Sequence, residues 1–325
     1  MQILMCVVLF LVGLVAIIKG ADWMTDGASA IAKKYGISTM VIGMTIVAIG
    51  SSAPEFVVSA LAAFEGNTDM AIGNVVGSNI FNILAIMGAT AFVNPVMSSK
   101  GNIRYDLPFV ILSSLAILFA AFDVIFTPDA DNEISRSEGL LMLCLFAVYI
   151  SYTMTIAKKT DNSPAESGAK ELPAAVKPLW KSVVLVVVGL VLLLFGGDWL
   201  VEGASGIAIA LGVSQSVVAL TIVSIGTSAP ELASSIMAAR KGDTDMALGN
   251  VVGSVVFNVF FVLGVAAVIN PLALGNISLM DITTLLLSSV LLWCFCKTRS
   301  SLGRGEGLIM IIIQVLYYAV LIWQA

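Results

Sequence analysis

TIVAIGSSAPE at residues 45–55 and TIVSIGTSAPE at residues 221–231 each set a proline and a glutamate inside an otherwise apolar stretch. Proline has no N–H, and its ring collides with the carbonyl four residues back, so each stretch reads as a helix interrupted in its middle. If the surroundings are hydrocarbon, an ionised glutamate there costs roughly 3 kcal/mol or more unless something compensates its charge. One interruption is a kink. Two with the same flanking residues ask for a common explanation.

The composition supplies the hydrocarbon. Of 325 residues, 59% are hydrophobic and 11% charged, which leaves too little polar surface for a water-soluble domain. Several apolar runs reach the ~20 residues that span a bilayer, and no long alternating pattern suggests a barrel. The expected class is an all-α polytopic membrane protein. The run at 3–19 lacks a basic n-region, and GLVAIIKGADW (13–23) has a counterpart in GLVLLLFGGDW (189–199), so it reads as a mature helix rather than a signal peptide. Cys6, Cys144, Cys294 and Cys296 all lie in apolar segments without metal-ligand spacing and read as packing residues. The absence of histidine removes zinc–histidine chemistry and histidine proton relays. A net charge of −5 without a basic patch gives no sign of nucleic-acid binding.

A shift of 176 aligns the two halves without a gap from Gly13 to Pro95, and 29 of 53 positions are identical between 43–95 and 219–271. This is an internal duplication. The first half, 1–157, reads as apolar segments at 3–26, 38–63, 70–94, 107–126 and 138–157. The second half, 182–325, reads as segments at 182–206, 214–239, 246–270, 278–297 and 305–324. A polar linker, 158–181, joins them. Five crossings per half send the second half into the membrane from the opposite side.

Assigning the loops alternately puts fifteen Lys and Arg residues on one side and Arg136 alone on the other. By the positive-inside rule the basic side is cytoplasmic and both termini lie outside. FEGNTDM (64–70) carries no positive charge whereas its twin RKGDTDM (240–246) carries two, so Asn67 is expected outside and Gly242 inside. The expected architecture is ten transmembrane helices in two inverted five-helix repeats, with discontinuous helices meeting at the midplane.

At each break the proline frees a backbone oxygen, that of Gly50 or Gly226, which is tolerated at membrane depth only beside protein, water or an ion. Ser51, Ser52 and Glu55 share one face, as do Thr227, Ser228 and Glu231. The following helices add GSNIFN (77–82) and GSVVFN (253–258), whose Ser78/Asn82 and Ser254/Asn258 are i, i+4 pairs. The result is a cage of hard oxygens, suited to Ca²⁺ or Na⁺ and less to Mg²⁺, which prefers to keep its water. A lone Ser or Asn in a membrane helix commonly bonds a neighbouring helix. A duplicated glutamate with no Lys or Arg in mid-helix needs a cation or a proton.

Other acidic residues have plainer readings. Asp22 and Asp198, beside Trp23 and Trp199, read as interfacial or helix-end contacts. Asp69 and Asp245 read as caps of the helices that follow them. Asp129, Asp131 and Glu133 read as solvated loop residues.

The doubled pattern G-[ST]-S-x-P-E … GNxxGSxxxN, spread over nearly the whole chain, resembles the cation/Ca²⁺ exchanger superfamily, in particular its prokaryotic Na⁺/Ca²⁺ exchanger branch. The resemblance implies a ligand set of Ala48, Ser51, Ser52, Glu55, Ser78 and Asn82 with Ser224, Thr227, Ser228, Glu231, Ser254 and Asn258. It also implies alternating access, in which two long tilted helices, the first and sixth, slide across a core of the other eight. Three positions depart from the family pattern: Asn258 replaces an Asp common in that branch, Val255 replaces an Asn, and Ser51 replaces a Thr. The linker is also too short to hold the large cytosolic regulatory domains of animal relatives.

The expected function is a secondary antiporter of the plasma membrane that exchanges Ca²⁺ for Na⁺. H⁺/Ca²⁺ antiport through the same glutamates is the alternative. A channel fits less well, since inverted halves suggest two alternating gates rather than a pore on a symmetry axis. No nucleophile–base constellation or cofactor motif suggests an enzyme. The expected partners are the two transported ions and the bilayer, with no cofactor and no protein partner.

Overall fold

The expected segments are helical in the computed structural model, which describes residues 2–122, 132–160, 178–211, 224–275 and 277–324. The first half runs α1 (Gln2–Tyr35), α2 (Thr39–Ser51), α3 (Ala53–Phe64), α4 (Thr68–Val93), β1 (Val96–Met97), α5 (Asn102–Ala121), β2 (Glu133–Ile134) and α6 (Arg136–Thr160). The second runs α7 (Leu179–Ala210), α8 (Ser224–Thr227), α9 (Ala229–Arg240), α10 (Thr244–Ile269), β3 (Leu272–Ala273), α11 (Leu279–Arg299), β4 (Ser301–Leu302) and α12 (Arg304–Gln324). Among the described residues, eight helices are long and apolar enough to cross a membrane, or nine if α2 and α3 form one bent span. The expected segment 214–239 falls partly outside the described residues, and α8 and α9 are its described part. Most of the linker, with Asp129 and Asp131, also lies outside them.

The first helix of each half, α1 and α7, pack together closely. Gly13, Gly20 and Gly27 on α1 and Gly189, Gly196 and Gly203 on α7 recur every seven residues, close to two helical turns, so each set lines one face. A β-carbon on Gly13 would lie 2.7 Å from the Gly196 carbonyl oxygen. One on Gly20 would lie 2.7 Å from that of Gly189, and one on Gly27 2.6 Å from that of Ser182. Partner numbers fall as α1 numbers rise, so these sequence-equivalent helices run antiparallel. Missing side chains are what allow backbones to approach this far in lipid, where no hydrophobic force drives helices together.

The remaining helices interlock across the halves. A β-carbon on Gly88 of α4 would lie 2.7 Å from the Gly307 carbonyl of α12, and one on Gly139 of α6 2.8 Å from that of Gly264 in α10. Short antiparallel strands pair β1 with β4 and β2 with β3. Gly88 corresponds to Gly264 and Val96 to Leu272 under the 176 shift, so each contact has a swapped twin. The core centres on α4 and α10, through residues such as Ile72, Ile83, Leu84, Leu248, Val252 and Phe260. By contrast α6 and α12 turn Leu141, Val148, Ile312 and Leu316 outward, as lipid-facing helices do.

Two expectations about acidic residues are corrected. Asp69 and Asp245 are not caps: the capping oxygens belong to Asn67, which accepts from Met70 N–H at 3.2 Å, and to Asp243, which accepts from Met246 N–H at 3.1 Å. The helices begin at Thr68 and Thr244, which puts both aspartates in the first turn. Asp22 is not at a helix end either, because α1 continues to Tyr35. It pairs with Lys241 Nζ at 2.6 Å, and Asp26 pairs with the same ammonium at 2.8 Å. Asp243 also accepts from Thr39 Oγ1 at 2.7 Å, so the turn between α9 and α10 is fastened to the first half at several points. The four cysteines are free thiols; Cys296 is buried and fits a packing role, whereas Cys144 and Cys294 are exposed and do not.

Candidate cation site

The chain stops and restarts at each break rather than bending through it. Ser52 (φ −84°, ψ 12°) and Ser228 (φ −90°, ψ 9°) stand outside helical geometry, and α2 meets α3 at 48°. Pro54 and Pro230 fall in the first turn of α3 and α9, where a missing N–H leaves no intrahelical bond unmade. Glu55 and Glu231 share that first turn, where the helix dipole favours negative charge. The backbone also widens to π-helical turns at Gly43–Val47, Asn82–Ile86 and Phe257–Leu263, which places Asn82 and Asn258 at matching irregularities. Such turns often mark functional positions.

The two breaks face each other across the halves. Ser52 Oγ donates to Glu231 Oε1 at 2.7 Å, and Ser228 Oγ donates to Glu55 Oε1 at 3.3 Å. Ser78 also faces Glu55, Ser51 faces Glu231, and the two carboxylates are near enough for their charges to interact. Ser51, Ser52, Glu55, Asn82, Ser228, Glu231, Ser254 and Asn258 have no solvent exposure, and Ser78 is nearly buried. The Ala48 carbonyl accepts from Ser52 N–H at 3.0 Å and from Ser51 Oγ at 3.3 Å, so it is already engaged. Thr227 is half-buried, and the side chain of Ser224 lies outside the described residues.

Three asparagines belong to the assembly although the sequence reading did not single them out. Asn74 Nδ2 donates to the Glu55 carbonyl at 3.2 Å, and Asn250 Nδ2 to the Glu231 carbonyl at 3.3 Å. They are twins under the 176 shift, and each steadies the turn that carries its glutamate. Their signal was the Asn of the duplicated GNVVGS. The third, Asn79, donates Nδ2 to the Val255 carbonyl at 3.3 Å and accepts from Asn258 Nδ2 at 3.1 Å. Nothing in the repeat pattern marks it, because its twin is Val255.

Several buried oxygens have no hydrogen-bond partner: Glu55 Oε2, Glu231 Oε2, Asn82 Oδ1, Asn258 Oδ1 and Ser254 Oγ. Buried polar atoms are usually satisfied, so these unsatisfied acceptors, most of them on repeat-equivalent residues, call for a partner such as a buried water or an ion. Among the described residues neither glutamate pairs with a Lys or Arg, and no three acidic, Cys or His side chains converge. Carboxylates and neutral oxygens are the donor types that hard cations prefer.

The family model for the sodium/calcium exchanger protein matches residues 5–155 and 181–323. CaxA of Alkalimonas amylolytica is 45% identical over 272 residues, 82% of each chain. The sodium/calcium exchanger MaX1 of Methanosarcina acetivorans is 30% identical and covers 97% of this chain and 98% of its own. Among solved structures, the sodium–calcium exchanger NCX_Mj soaked with 10 mM Na⁺ and no Ca²⁺ superposes with a TM-score of 0.81 at 32% identity, covering 98% of this chain and 99% of that one. The family match and the fold define a multi-pass membrane cation/Ca²⁺ exchanger, in a family of transporters rather than enzymes. The chain belongs to the sodium/calcium exchanger family, in the prokaryotic branch of the cation/Ca²⁺ exchanger superfamily.

Proposed function

We propose that this protein is a plasma-membrane antiporter that exchanges Ca²⁺ for Na⁺ at one shared site, with Glu55 and Glu231 as its charged ligands. The observation that carries the reading is the set of unpartnered buried oxygens contributed by both breaks and by α4 and α10. Two glutamates balance one Ca²⁺, or instead host several Na⁺ ions. Since both occupants need the same carboxylates, binding of one disfavours the other, and competition becomes exchange. Asn82, Asn258, Ser254 and Ser78 supply neutral oxygens that do not titrate, which suits a monovalent metal ion. A proton would need only the carboxylates. The α1–α7 pair, joined by glycine contacts and lying outside the α4–α10 core, is the unit that would move across that core.

The test is Ca²⁺ uptake into proteoliposomes loaded with Na⁺, at equal pH on both sides and with the membrane potential shunted. Uptake driven by the Na⁺ gradient is expected. Failure here together with uptake under an imposed pH gradient without Na⁺ assigns the coupling to protons.

The arrangement proposed around this site is ten spans in inverted halves, 1–157 and 182–325, joined by a cytoplasmic linker, 158–181, with both termini outside. Contacts on each of the two sides are consistent with it. On the basic side Lys241 meets Asp22 and Asp26, β1 meets β4, and Asn94 Nδ2 donates to the Ala239 carbonyl at 3.0 Å. On the other side β2 meets β3, and Arg136 reaches the Ile269 carbonyl at 3.5 Å.

Labelling with an impermeant thiol reagent tests the inversion. The native cysteines are removed first, and Phe64 and Arg240, which are exposed and repeat-equivalent, then receive single cysteines. Gly242 is a poorer choice because its φ of +81° strains any side chain. In intact cells the reagent is expected to label position 64 and to reach position 240 only after permeabilisation. Labelling of both from one side removes the inverted model.

A further inference from the structure

We infer that Asn79 is a positioning residue that fixes which end of the Asn258 amide faces the ion. The inference rests on the site reading above, with Asn258 as a ligand. Asn79 and Asn258 are both fully buried. The Val255 carbonyl can only accept, so the Asn79 group bonded to it at 3.3 Å must be the NH₂. Asn79 therefore presents its Oδ1 to Asn258, and at 3.1 Å the Asn258 group meeting it must be the NH₂. By elimination the free end of Asn258 is its carbonyl oxygen, which is buried and unpartnered. A cation meets an acceptor there. The opposite orientation would meet it with two N–H donors.

An asparagine amide rotates about a broad, roughly two-fold terminal torsion, so without such a constraint both orientations are accessible. The other half shows that state. Asn82 is the twin of Asn258, but the residue matching Asn79 is Val255, whose side chain has no hydrogen-bonding group. Both Nδ2 and Oδ1 of Asn82 are buried without partners. The two-fold relation between the halves is thus broken at this pair. One neutral ligand is oriented before the ion arrives, and the other is oriented by the ion.

The test is the apparent KM for Ca²⁺ in proteoliposomes, measured for a double-mutant set. Asn79→Val, which copies the other half, is expected to raise KM about fivefold, the worth of one net hydrogen bond, with the maximal rate kept. In an Asn258→Asp background the same change is expected not to raise KM, because a carboxylate presents an oxygen whichever way it turns and has no N–H to donate to Asn79. An equal rise in both backgrounds, or no rise in the wild type, overturns the inference.

Val255→Asn gives an independent reading should Asn79→Val not fold. It builds the missing partner for Asn82 and is expected to lower KM severalfold. An unchanged KM in that variant also counts against the inference. Asn258→Ala separates this question from the site itself. If Asn258→Ala binds and transports Ca²⁺ normally, the ligand assignment is wrong. If it is impaired while Asn79→Val is not, only the positioning role is wrong.

Discussion

Glu55→Gln and Glu231→Gln are each expected to reduce Ca²⁺ uptake into proteoliposomes at least about 100-fold, the consequence of several kcal/mol lost from a buried charge interaction. Both side chains are fully buried, each in the first turn of its helix. Glutamine keeps the shape and keeps an oxygen to accept from Ser228 or Ser52, so the local hydrogen bonding survives. What disappears is half of the negative charge facing a divalent ion. The ion-free protein should not suffer, because the change replaces one of two mutually repelling buried acidic groups with a neutral one. Thermal unfolding in detergent without Ca²⁺ is therefore expected at an unchanged or higher temperature. Near-normal uptake by either folded variant would remove that glutamate from the site.

Gly20→Val is the second large effect, and it acts through backbone packing rather than through charge. Its β-carbon would fall 2.7 Å from the Gly189 carbonyl oxygen and 2.9 Å from the Leu193 nitrogen, both of them backbone atoms that cannot rotate away. The helices must separate, and the matching contacts at Gly13 and Gly27 loosen with them. Overpacking of this kind costs about 2 kcal/mol or more, so a melting temperature lower by several degrees and loss of transport are expected. Gly305→Ala is the control, since nothing lies within 4 Å of the position a β-carbon would take there. If Gly20→Val unfolds at the same temperature as Gly305→Ala, the close α1–α7 packing is not a feature of the folded protein.

The sequence by itself determined much of this protein. Its apolar runs required membrane helices, because only a backbone bonded within each segment survives in hydrocarbon. The 176-residue repeat required two matching halves, and proline at positions 54 and 230 required breaks beside glutamates that no nearby cation neutralises. These readings succeed because each depends on spacing along one segment, or on likeness between two. The cap assignments failed by two residues, because Asn67 and Asp243 compete with Asp69 and Asp245 for the same N–H groups and local propensity alone does not choose between them.

Only the tertiary structure decided the cross-connections. The seven-residue glycine spacing in α1 and α7 is visible in the chain, but its partner is not. Nothing local says that Ser52 serves Glu231 rather than its own neighbour Glu55, or that Lys241 belongs to Asp22 and Asp26. Asn79 is the sharpest case, since its role comes from a carbonyl and an amide more than 170 positions away. Such bonds depend on how two halves dock, and docking buries each polar group beside whatever the opposite half presents. A repeat can announce that two halves match. Which atoms meet is settled only when they pack.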